Sequence, residues 1–216
     1  MVFRTWGGKR QGAGRKPVVP GRVSHGCRPA LASRFPVHVT LKLVESLPSL
    51  RSPALCPLLE GCVREVKPGY FLRVVHYCIQ KHHLHLVVEA ADASSLSRGV
   101  KGLCIRIAKR INTALGRRGR VFSDRYFARI LKTPRQTRAA IAYVLLNSRR
   151  HDAQRHQRRD RGLVDPCSSG LFFDGWKDGP DHPPKGRQAP TSEPHTWLLR
   201  LGWRRHGLIS VDEIPG

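Results

Sequence analysis

Residues 35–44, Phe-Pro-Val-His-Val-Thr-Leu-Lys-Leu-Val, alternate between apolar and polar: Val37, Val39, Leu41 and Leu43 share one side, His38, Thr40 and Lys42 the other. A period of two marks a strand with one buried face. Over residues 54–66 the period lengthens, with Leu55, Leu58, Leu59, Cys62, Val63 and Val66 on one helical stripe that Pro68-Gly69 stops. Two runs rich in Val, Tyr, Phe and Leu follow, 70–79 and 82–90, joined by Gln80-Lys81 into a predicted hairpin. Ser94 or Ser95 is expected to cap a second helix that runs to Leu115-Gly116. Its stripe is Leu96, Val100, Leu103, Ile107, Ile111 and Ala114. Residues 120–131 read as a fourth strand, and a third helix is expected from about Arg135 to Arg150.

The predicted order β-α-β-β-α-β-α implies an α+β chain with a ferredoxin-like antiparallel sheet, its helices on one face and the other face open for ligand. The pattern divides the chain into a basic flexible arm at 1–34, a folded region at 35–150, and an irregular linker with a small C-terminal appendage at 151–216. Apolar content returns only in 195–216, around Trp197, Leu198, Leu199 and Trp203.

Charge narrows the partners. The formal net charge is +24, and its distribution is uneven: residues 1–34 carry +8 with no acid, and residues 98–161 carry +16. Those two segments account for the whole excess, so the chain reads as a neutral scaffold with a basic arm and one basic face, suited to a polyanion. In the arm, Lys9, Arg10, Arg15 and Lys16 stand among glycines that follow no strand, which argues against a phosphate-cradling loop. None of the six cysteines forms a CxxC pair, so a zinc ribbon is not expected. Cys62, Cys78 and Cys104 sit among apolar residues as small core side chains, which fits a reducing compartment. With no transmembrane-length apolar run and no signal-peptide stretch, the expectation is a cytoplasmic protein that does not engage membranes.

Two groups carry candidate chemistry. In His82-His83-Leu84-His85 the strand alternation puts His83 and His85 on one face, with Val87 and Glu89 continuing the row. Two imidazoles one strand repeat apart can each give a nitrogen to one divalent cation; equally, an HxH pair is often only a polar stretch of open sheet. Tyr143 lies in a helical run with Asn147 four residues on, sharing its face, and with small Ala139 and Ala140 before it. A phenolate can attack phosphorus and form a covalent ester, and an amide oxygen can join a metal site. A lone tyrosine there is otherwise a packing residue.

Taken together, these motifs resemble the small single-tyrosine HUH transposases (U being a bulky apolar residue), the insertion sequence 200-like group, and within it the REP-associated tyrosine transposases. The likeness rests on Phe35 to Leu43 as first strand, His82-His83-Leu84-His85, the stretch Gly119 to Tyr126, and Tyr143-Val144-Leu145-Leu146-Asn147, over roughly residues 20–150. His82 replaces an Asn found in many members, and Asn147 stands where some have Gln or His. The resemblance implies a DNA strand-transfer enzyme in which His83, His85 and Asn147 hold Mg²⁺ or Mn²⁺, with His76 or His38 as alternative third ligands. Tyr143 would cut single-stranded or hairpin DNA and keep the 5′-phosphate as an ester. Arg98, Lys101, Arg106, Lys109, Arg110, Arg117, Arg118, Arg120 and Arg125 would track the DNA backbone, and Tyr126, with Phe127 and Phe122, could stack on unpaired bases, although packing in the core is the expectation for Phe122. Relatives include homodimers in which one chain's tyrosine helix completes the other's site; the long tail here would instead favour a monomer. The competing readings are a replication-initiator or relaxase nuclease, and a domesticated or non-catalytic nucleic-acid-binding protein on the same fold.

Overall fold

The computed structural model describes residues 29–66, 71–154, 162–179 and 186–215. The arm residues Lys9, Arg10, Arg15 and Lys16, and the Pro68-Gly69 helix stop, lie outside these. Strands β1 (Val37–Lys42), β2 (Arg73–Ile79), β3 (His83–Glu89) and β4 (Phe127–Ile130) form one antiparallel sheet in the order β2-β3-β1-β4. Helices α1 (Leu55–Arg64) and α2 (Ala93–Ala114) pack on one face; α3 (Pro134–Leu145), α4 (Asn147–Gln154) and α5 (Trp197–Arg200) follow. The fold is α+β with the expected β-α-β-β-α-β core.

Alternation explains the first core. Val37, Val39 and Leu41 of β1 and Leu84, Leu86 and Val88 of β3 all turn toward α1 and α2, where they meet Leu59, Cys62, Leu103 and Ile107. Each such side chain contributes about 1.5–3 kcal/mol on burial. Gly99 lets α2 approach the start of β2: a Cβ there would lie 2.4 Å from the Leu72 Cβ. The cap of α2 is Asp92, whose carboxylate accepts from Ser95 N–H at 2.7 Å. The two serines expected to cap it instead lie inside the first turn.

Two elements differ from expectation. The fourth strand is only four residues long: ahead of it the Arg120 guanidinium donates to the Phe122 and Ser123 carbonyls, and the chain meets the end of β1 through a Leu43–Phe122 bridge and the Ser123–Lys42 bonds. The third helix breaks at Leu146 (φ −107°, ψ 15°), so Asn147 opens α4 rather than continuing the turn that carries Tyr143.

The second face of the sheet is not open. Helix α3 and the residues after 162 cover much of it, forming a second core of Val75, Val87, Ile141, Val144, Leu145, Phe173, Trp176, Leu199, Trp203, Ile209 and Val211. These C-terminal apolar residues are scattered between polar ones, with no helical or strand period to announce them. Polar anchors hold them down. Glu89, 6% exposed on the His83–His85 row, accepts from His195 and Thr196 N–H (2.7–3.0 Å). Arg51 grips Asp165 through two bonds of 2.8 and 2.7 Å, and Arg138 bonds Glu213 and the Gly207 and Leu208 carbonyls. A slip in β2 between Val74 and His76 sends Val75 into this second core and sets the His76 ring edge-on to Phe173 at 5.3 Å.

Candidate active site

Register places the key side chains. Across the antiparallel β1–β3 pair, Thr40 lies opposite His85, Lys42 opposite His83 and His38 opposite Val87. Opposed residues share a face, so His38, Thr40, His83 and His85 stand together on the α3 side of the sheet. The His83 and His85 rings run parallel with centroids 6.2 Å apart. Helix α3 brings Tyr143 down onto them: its ring is edge-on to His85 at 5.4 Å and to His38 at 5.6 Å, and His38 and His85 are themselves 5.5 Å apart. Three aromatic rings from β1, β3 and α3 thus form a near-equilateral triangle. The Arg150 guanidinium lies over the Tyr143 ring at 5.3 Å.

The entry of α3 helps to aim Tyr143. Thr133 caps the helix by accepting from Gln136 N–H at 3.2 Å, Pro134 sits in its first turn, and the Gln136 side-chain Oε1 accepts from Lys132 N–H at 2.8 Å. This cap and brace satisfy amide groups that the helix itself leaves unpaired.

The electrostatics favour neutral imidazoles. Burial, then the charge of Arg129, lowers His38 to about 4. Burial, then the charges of His38, His83 and His151, lowers His85 to about 3. Burial and Lys42 lower His83 as well. At neutral pH each ring therefore has a lone pair to give. The Thr40 hydroxyl lies 3.2 Å from His85 Nδ1. When Nδ1–H donates to that hydroxyl, the lone pair is left on Nε2, the tautomer a metal ligand needs.

The metal-ligand set tests unevenly. His83 and His85 have the chemistry. Asn147 is fully buried, and neither its amide oxygen nor its nitrogen has a hydrogen-bond partner among the described residues, a costly state for an amide unless something else binds it. His76 is turned to Phe173, while His38 is in the triangle with its Nε2 buried and unpartnered among the described residues. Among the described residues no three His, Cys, Asp or Glu side chains group as a metal cage. A cation here would take two imidazoles and complete its shell with oxygens of a substrate phosphate or water. Two imidazoles with oxygens are a shell that a divalent ion can take.

The basic residues separate into tied and free-standing groups. Arg106 and Arg110 pair with Glu65 of α1, Arg98 covers the Phe71 ring at 4.1 Å, and Arg117 and Arg120 bond nearby carbonyls. Lys101, Lys109 and Arg118 are exposed. Arg125 is half-buried. Tyr126 and Phe122 are half-buried against the first core, whereas Phe127 on β4 is 52% exposed. Sequence pattern alone did not single out Thr40 or Arg150, because their relevance comes from a cross-strand partner and a helix break. It read His151 as a surface residue, yet its charge reaches both His83 and His85.

No protein-family model and no curated protein matches the chain. Among solved structures it is similar to a REP-associated tyrosine transposase bound to a REP hairpin, at 15% identity and a TM-score of 0.48, covering 60% of this chain and 74% of that one. No helix among the described residues is long and apolar enough to cross a membrane.

Proposed function

We propose that this chain cuts and rejoins single-stranded or hairpin DNA through a covalent 5′-phosphotyrosine on Tyr143, with Mg²⁺ or Mn²⁺ at His83 and His85. The observation that carries the reading is the Tyr143 ring packed edge-on to His85 at 5.4 Å, two elements far apart in sequence delivering a phenol and an imidazole pair to one place. Both come from the same chain, so the arrangement needs no partner's helix.

The chemistry follows from these groups. A bound divalent ion would offset negative charge developing on the scissile phosphate. Tyr143 attacks phosphorus in line; its phenol loses a proton to solvent, the new P–O bond forms, and the 3′-oxygen leaves and takes up a proton. Attack by a second 3′-hydroxyl reverses the step and joins strands, so no nucleotide triphosphate is consumed. Thr40 orients His85. Arg150, over the phenol ring, attracts an incoming phosphate. The exposed cations Lys101 and Lys109 stand on α2, on the sheet face away from the imidazoles, with Arg118 just beyond it, so their phosphate contacts would fall outside the cleavage site and would not read sequence.

A second reading is a non-catalytic nucleic-acid-binding protein on the same fold. It is favoured by the fully buried Asn147 and by the lack of a three-residue cage among the described residues. One experiment separates the two. Single-stranded hairpin DNA is incubated with the protein and Mn²⁺, and a covalent adduct is sought on a denaturing gel. Wild type should form the adduct; Tyr143→Phe should bind DNA equally well and form none. An unchanged adduct in Tyr143→Phe defeats the tyrosine assignment. DNA binding by wild type with no adduct under any divalent metal favours the second reading.

A further inference from the structure

Strand β4 is one edge of the sheet, and its register extends the candidate site sideways. Phe127 lies opposite Thr40, which lies opposite His85; Arg129 lies opposite His38. Phe127 and Arg129 therefore stand on the same face as the imidazoles, while Ala128 and Ile130 turn to the first core. At the usual strand spacing Phe127 is about 10 Å from His85. It is 52% exposed, although its neighbours Tyr126 and Phe122 are packed away. Arg129 beside it is exposed too.

From this placement we infer that Phe127 and Arg129 form a subsite for single-stranded DNA, Phe127 stacking on an unpaired base and Arg129 holding a neighbouring phosphate of the strand that crosses the His85 face. The subsite rests on the proposed function for its ligand, single-stranded DNA. An aromatic ring suits this role because every base has a π-face, so it binds without regard to sequence. The two positions alternate along an edge strand, which leaves room for a chain of nucleotides that a central strand would not.

The test uses the full chain and a thymidine oligonucleotide carrying one 2-aminopurine. Wild type should quench the 2-aminopurine on binding. Phe127→Ala should lose the quench and about 5- to 100-fold in affinity for the single strand. The same variant should bind blunt duplex as wild type does, and Phe127→Tyr should restore both readouts. Equal single-strand affinity in Phe127→Ala, or an equal loss on duplex, overturns the subsite. The Tyr143 adduct assay is separate: with no adduct formed but the Phe127 effect intact, the subsite stands and the cleavage reading falls.

A different contact carries a second inference. Cys56, at the second position of α1, and Cys167, just ahead of the 3-10 turn Ser169–Phe172, have their sulfurs 2.6 Å apart, closer than two unbonded sulfurs rest. Backbone bonds hold both ends: Cys56 N–H to Ser52 C=O (3.0 Å), Ile79 N–H to Cys167 C=O (2.8 Å). Cys56 is half-exposed, and its thiol donates to Cys167, which together with Arg51 favours the Cys167 thiolate. The structure assigns Cys56 and Cys167 as a site of reversible disulfide modification by a low-molecular-weight disulfide such as oxidised glutathione. Cys56, the more exposed sulfur, exchanges first: it passes its proton to the Cys167 thiolate and attacks one glutathione sulfur, becoming a mixed disulfide, and the released glutathione thiolate takes up a proton from solvent. Cys167 then attacks the Cys56 sulfur and expels the second glutathione, so two protein thiols are oxidised and one glutathione disulfide is reduced.

Peptide mapping after incubation with oxidised glutathione and alkylation tests this in wild type. The expected result is a linked Cys56–Cys167 peptide pair, and a melting temperature raised by about 5–15 °C that dithiothreitol returns to its starting value. Cys167→Ser should instead retain glutathione on Cys56. Free alkylation of both wild-type thiols, or stable glutathione on wild-type Cys56, overturns the assignment.

Discussion

His38, His76 and His85 are each held neutral by enclosure, at about 4, about 4 and about 3. In the unfolded chain each takes up a proton near pH 6.5. Between those values the unfolded state binds more protons than the folded one, so the stabilisation is complete above about pH 6.5 and is lost as pH falls toward 4. The urea midpoint of the metal-free protein should therefore drop steadily from pH 7.5 to pH 4.5; a flat or rising midpoint would show these rings to be protonated in the fold. Thr40 acts on only one of them. Thr40→Val keeps the shape but removes the oxygen beside His85 Nδ1, and Mn²⁺ affinity by calorimetry should fall about 10-fold. Unchanged affinity would mean that the hydroxyl does not select the His85 tautomer.

Between elements, the break after α3 matters most. A straight helix would put Asn147 one turn beyond Tyr143 on the same face; instead α3 ends at Leu146 and Asn147 opens α4, fully buried, with both amide atoms unpartnered among the described residues. Such a group costs about 1–3 kcal/mol unless a ligand binds it. Asn147→Leu, similar in volume, should raise the melting temperature of the metal-free protein and lower the yield of the Tyr143 adduct. A variant that melts earlier than wild type would show that the amide is already satisfied in the fold. Function and stability then pull in opposite directions at this position, as they commonly do at binding sites.

Over the full chain, the basic excess and the double-sided core have different tasks. The charge sets how tightly a polyanion is held: log Kd for a single strand should rise with log salt by about 0.7 per phosphate contacted, so eight contacts give a slope of about 6. Anisotropy titrations across a fourfold salt range measure it, and a slope near zero would assign binding to apolar contacts alone. The second core fixes the α3 face, since Arg138 clamps α3 to Glu213, and Arg51–Asp165 and Glu89 pin the segments that pack beside it.

Local periodicity was enough to read the first three strands and the first two helices, the face shared by His83 and His85, and the small residues before Tyr143. It also showed that the positive charge is confined to the arm and one region. Periods of two and 3.6 are properties of neighbouring residues and survive in any fold that buries the apolar side. The triangle of His38, His85 and Tyr143, the pairing of Thr40 with His85, the exposure of Phe127 and the meeting of Cys56 with Cys167 were not readable in that way. They join residues between 45 and 111 positions apart, through cross-strand register and a helix packed by scattered C-terminal residues. Only the closed fold, with its two cores, brings those side chains within reach of one another.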